Sequence, residues 1–168
     1  MRLTRRHAIA VLLASAASTG KALASNAPFT PVINQSADEA IIYVYRSSHM
    51  IGAVASFHFK LDDGDTEYSL GNGRYLILRV PSGAHVLRQV AGHGAFSTAM
   101  VDLHLPDVTV NVEAGQHYYV EFSMTGRVTR FMILPGGGST SNIDSSEQFG
   151  EVPEEQALPE IARTHLAG

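Results

Sequence analysis

The chain has 168 residues, with 12 basic and 16 acidic side chains, eight histidines and no cysteine, for a net charge of −4. That length is enough for one domain with a real core. The missing cysteine excludes disulfides, thiol catalysis, thiolate zinc sites, iron–sulfur clusters and a lipid anchor on an N-terminal cysteine.

Arg2, Arg5 and Arg6 open the chain, and Ala8–Ala17 is an apolar run about half as long as a bilayer span requires. Ala22-Leu23-Ala24 has the small-x-small pattern of a signal peptidase site, which predicts cleavage between Ala24 and Ser25. Arg5-Arg6 resembles a twin-arginine signal, and paired arginines also occur in general secretory signals; either route exports the chain. Loss of residues 1–24 removes Arg2, Arg5, Arg6 and Lys21, leaving eight basic against 16 acidic groups and a net charge of −8. Such a surface repels nucleic-acid phosphates and anionic head groups. The expectation is a periplasmic or secreted domain with no nucleic-acid partner and no stable membrane anchor after cleavage.

Residues 25–37 are polar with two prolines and read as an extended leader. "AIIYVYR" from Ala40 is β-branched and aromatic with bulk on both faces, which predicts a strand covered on both sides. In "AVASFHFKL", Ala55, Phe57, Phe59 and Leu61 alternate with Ser56, His58 and Lys60, the period of a half-buried strand. Asp62-Asp63-Gly64-Asp65 then turns the chain. Short strands follow over Glu67 to Leu70, Arg74 to Val80 and His85 to Val90, separated by Gly71-Asn72-Gly73 and Pro81-Ser82-Gly83. Ser97 to Leu105 alternates well enough to favour a strand. Val108 to Val112 and Tyr118 to Phe122 form a hairpin around Glu113-Ala114-Gly115-Gln116, and Arg127 to Leu134 reads as the last strand. Strands this short, with turns this frequent, predict an all-β antiparallel sandwich of about seven to nine strands over residues 38–134. Residues 135–150, opening on Gly136-Gly137-Gly138-Ser139, read as a flexible linker. Residues 151–168 read as a short C-terminal helical tail, with Pro153 at its start and Pro159 kinking or dividing it.

Gly71-Asn72-Gly73 raises the question of a phosphate cradle. Such a cradle feeds a helix N-terminus, whereas Arg74 to Val80 closed by Pro81 is a strand, so these residues are read as a turn. Metal binding could draw on His49, His58, His85, His93, His104, His117 and His165, but none stands at a metal-helix spacing or in a His-x-His strand pair. Asp62, Asp63, Asp65 and Glu67 have the charge of a calcium loop but not its ligand spacing. Ser82 and His85 lack a nucleophile elbow, and no motif marks a carboxylate pair, although two acids brought together by the fold would suit hydrolysis. No catalytic, metal or cofactor-binding residue is assigned. Tyr43, Tyr45, Tyr75, Tyr118 and Tyr119 either close the core and sheet edges or form an aromatic strip for a sugar or a partner strand.

"YVYR", the Pro-Ser-Gly-Ala-His turn, "EAGQHYY" and the tail "PEIARTHL" resemble a family of bacterial envelope proteins known only as domain-of-unknown-function family 2846. The likeness covers roughly residues 38–165. It implies a small envelope β-sandwich, commonly a lipoprotein, and supplies no catalytic residues; the lack of cysteine departs from the lipoprotein pattern. Together these readings predict a non-catalytic envelope module that binds a protein partner or a glycan. The alternative is a small exported hydrolase or metal-binding enzyme.

Overall fold

A strand with bulk on both faces needs cover on both faces, and the fold is arranged around that requirement. The computed structural model describes residues 29–34, 36–49, 53, 56–90, 105–133 and 139–167. In chain order the elements are β1 (Glu39–Arg46), β2 (Phe57–Leu61), β3 (Glu67–Leu70), β4 (Arg74–Pro81), β5 (Gly83–Gln89), β6 (Val108–Val112), β7 (His117–Ile133), β8 (Ser139–Val152), α1 (Glu154–Ile161) and β9 (His165–Leu166). They form a five-stranded sheet, β8-β7-β1-β4-β9, and a four-stranded sheet, β3-β2-β5-β6. This is the predicted all-β sandwich with one short helix. Most pairings are antiparallel, but β1–β7 and β4–β9 are parallel.

β1 sits in the middle of the larger sheet. Its Ala40, Ile42 and Val44 face the smaller sheet and pack with Phe57, Phe59, Leu87, Val110 and Phe122. The Phe57 and Phe122 rings stack with centroids 4.0 Å apart, a contact worth about 1 kcal/mol beyond its area. Ile41, Tyr43 and Tyr45 face the other way, where Ala157 and Ile161 of α1 cover them. A second, smaller core therefore lies outside the sandwich proper. Phe29 and Val32 belong to it, and Phe29 meets both Tyr43 and Tyr75 edge-on. The stretch read as a leader ahead of the fold thus packs onto it, at least from Phe29.

Three other expectations change. Arg127 to Leu134 is not a separate last strand, because β7 runs unbroken from His117 to Ile133. From Ser139 the predicted linker is strand β8, hydrogen-bonded to β7 throughout. Local composition favours a linker there, and pairing with β7 overrides it. The C-terminal segment forms one eight-residue helix with Pro159 inside it, capped by the Pro153 carbonyl, then adds β9 beside β4. The predicted strand from Ser97 to Leu105 lies, apart from Leu105, outside the described residues, as do the cleavage site at Ala24 and Ser25, His93 and His104.

Among the described residues no helix is long and apolar enough to cross a membrane.

Candidate functional site

The two ends of the sandwich differ. At one end Glu39 pairs with Pro81, and the Gly115 amide donates to the Glu39 carbonyl. At the other, Arg46 pairs with Arg74. β7 runs parallel to β1 and keeps register with it only from Ile41–His117 to Tyr45–Glu121. Beyond Glu121, β7 leaves β1 and continues to Ile133 with β8 as its partner. The result is a two-stranded arm reaching past the Arg46 end by up to 12 residues, about 40 Å if fully extended. Among the described residues, no strand pairs with the β1-side edge of β7 from Phe122 onward, nor with the outer edge of β8. Phe122, Met124 and Phe149 anchor the base of the arm in the main core. A bulge between Val128 and Arg130 lets one extra β7 residue into the ladder. Val128, Phe131 and Ile133 therefore stand at register positions opposite Ile143, Ser141 and Ser139, the same parity of β8 that faces Phe122 and Met124. Thr125, Gly126 and Arg127 of β7, and Asp144 and Ser146 of β8, line a shallow open depression on the arm.

Where β7 departs, two carboxyl groups meet. Glu121 is 8 % exposed, and Glu160 on α1 is near enough for its charge to act on the Glu121 carboxyl. The Tyr45 hydroxyl donates to Glu160 Oε2 at 2.9 Å, and the Ser47 hydroxyl lies 3.5 Å from Glu121 Oε1. Burial raises the Glu121 pKa, and the charge of Glu160 raises it further, against a lowering by the Ser47 hydroxyl. Burial and a neighbouring negative charge both favour the neutral form of the Glu121 carboxyl. Burial likewise raises the pKa of Tyr45 and pushes that of Tyr119 up to about 12, so both phenols stay protonated. On the opposite face of β1, the buried Arg46 guanidinium lies over the Phe122 ring, 5.3 Å from its centroid.

A second polar cluster occupies the other end. His85 Nδ1 is 2.8 Å from Asp62 Oδ2, and Nε2 is 2.8 Å from the Pro81 carbonyl oxygen. A carbonyl and an ionised carboxylate can only accept, so both ring nitrogens donate and His85 is an imidazolium. Burial opposes that charge, but the bonds to Asp62 and Pro81 outweigh it and the His85 pKa is raised. Asp62 moves the opposite way: burial raises its pKa, and the bonds from Val86 and His85 more than reverse this. Asp62 adopts a φ of 52°, a left-handed turn that aspartate tolerates, and its Oδ1 accepts from the Val86 amide at 2.8 Å. Arg88 bonds Asp63 at 2.8 Å and Asp107 at 3.0 Å.

The remaining candidates from the sequence are spread apart. Asp62, Asp63 and Glu67 turn to His85, Arg88 and His58 respectively, so they do not converge as calcium ligands. Among the described residues no group of three histidines and acids is placed to hold a metal. Gly71-Asn72-Gly73 is a turn, as read. Asn72 accepts from the His49 amide at 3.0 Å and donates to the His49 carbonyl at 3.1 Å, tying the end of β1 to the β3–β4 turn. Tyr43, Tyr45, Tyr75 and Tyr119 are buried and form no open strip. The Glu121–Glu160 and Asp62–His85 pairs went unforeseen. Their members lie 39 and 23 positions apart, and no local period links them. Only the doubled acid-turn residues and a lone histidine on an alternating strand hinted at the second.

No family model, curated protein or solved structure matches this chain.

Proposed function

We propose that the chain is an exported, non-catalytic envelope module that binds a partner protein by strand addition along the β7–β8 arm. One observation carries this reading: the backbone edge of β7 from Phe122 to Ile133, which no described strand pairs. A two-stranded ribbon is marginal alone in water, and an open edge is a ready template for another strand. The export-signal reading of residues 1–24 and the resemblance to envelope family 2846 agree with an envelope location.

A glycan is the weaker partner, because four of the five tyrosines that would stack on it, Tyr43, Tyr45, Tyr75 and Tyr119, are buried in the core shared with α1 and Phe29. The alternative of a small exported hydrolase or metal-binding enzyme has a carboxyl pair to draw on. Glu121, however, is buried and Glu160 already accepts from the Tyr45 hydroxyl, which disfavours the pair as an exposed acid and base.

Site-specific photocrosslinking in intact cells tests the proposal. A crosslinker at Thr125 should capture a discrete protein, whereas the same group at Lys60 on β2 should not. Equal capture from both positions, or none from Thr125, overturns it.

A further inference from the structure

Building on that strand-addition reading, we infer that the strand added to the β7 edge is β8 of a second copy of this chain. The arm separates its charges by strand. From Phe122 to Ile133, β7 carries Arg127 and Arg130 and no acid, while β8 carries Asp144, Glu147 and Glu151 and no base. Arg127 and Asp144 are both exposed. Pairing β8 with β8 of another copy would set acid against acid, and β7 with β7 would bring two arginine-bearing strands together. Pairing β7 with β8 of a second copy sets base against acid.

Each copy presents both edges, so the contact is heterologous. It leaves one edge open at each end of the pair and can recruit further copies. The joined ribbon would give the arm a third and a fourth strand, which is what a two-stranded ribbon lacks. The contact is electrostatic in its selectivity, so salt should weaken it.

Sedimentation velocity on the mature chain tests this, from about 1 to about 200 µM and in ~20 mM and ~1 M salt. A second variant replaces residues 128–143 by Asn-Gly, which closes the arm as a two-residue hairpin at the Arg127–Asp144 pair. The expected result is concentration-dependent assembly of the full chain in low salt, at least tenfold weaker in high salt. The shortened chain should stay monomeric while keeping a cooperative thermal transition.

A full chain that is monomeric at the highest concentration overturns the inference, and so does equal assembly by both forms. Assembly that strengthens with salt, as an apolar contact would, also overturns it. The two readings fail separately: a monomeric chain whose Thr125 crosslinks to a protein of different sequence loses the second copy and keeps strand addition.

Discussion

Replacing Asp62 by Asn removes a charge and little else. Asparagine tolerates the φ of 52° at this position, and its amide oxygen still accepts from the Val86 amide. What is lost is the carboxylate that makes His85 an imidazolium. A hydrogen bond between charged groups contributes about 1.5–3 kcal/mol. The Asp62 side chain is 43 % exposed, so solvent screening reduces this to about 1–2 kcal/mol. For a domain of this size that is roughly 3–6 °C in Tm. The His85 pKa is raised on folding, so the stabilisation is complete below its unfolded value of about 6.5 and is lost as pH rises through the folded value. The Asp62 pKa is lowered, so its share is lost only in strong acid. Urea unfolding of the natural chain, Asp62→Asn, His85→Gln and the double variant at about pH 6 and about pH 9 reads the coupling directly. The pair should couple at the lower pH and hardly at all at the higher. A coupling under about 0.3 kcal/mol at pH 6, or an equal coupling at both, refutes the imidazolium assignment.

Glu160→Gln keeps an acceptor for Tyr45 and offers Glu121 a donor while removing one of two facing charges. It should raise stability by about 1 kcal/mol at about pH 8 and flatten the decline that sets in as pH rises through the folded-state value of Glu121, as followed by thermal melts across pH; a loss at pH 8 would show that the carboxyls do not repel there. Phe122→Ala removes the ring stacked on Phe57 and lying under Arg46, at a cost of about 3–5 kcal/mol in urea unfolding, and a loss below about 1 kcal/mol would contradict the core assignment. Asn72→Ala strands the His49 amide and carbonyl and should cost about 1–3 kcal/mol. ATP should leave the amide signals around Asn72 in the natural chain unmoved, and a shift would restore the phosphate-cradle reading.

Chain patterning made the sandwich legible where each strand buries at least one face. Alternation in Phe57–Leu61 and Val108–Val112 marks one buried side, and the unbroken apolar run in β1 marks two. Glycine and asparagine at residues 71–73 announced a turn for local steric reasons, and a turn is what forms there. These features depend on neighbours within a few residues, so linear order displays them.

The arm obeys no such local rule. Ser139 to Ser146 is polar and poor in β-formers, and it becomes strand because β7 supplies its hydrogen bonds across a non-local ladder. The same holds for the meeting of Glu121 with Glu160, which needs α1 folded back over β1, and for the proton held between Asp62 and His85, which needs β2 laid beside β5. A hydrogen-bond ladder and a desolvated charge pair are properties of groups brought together in space, and they exist only once the chain has closed on itself.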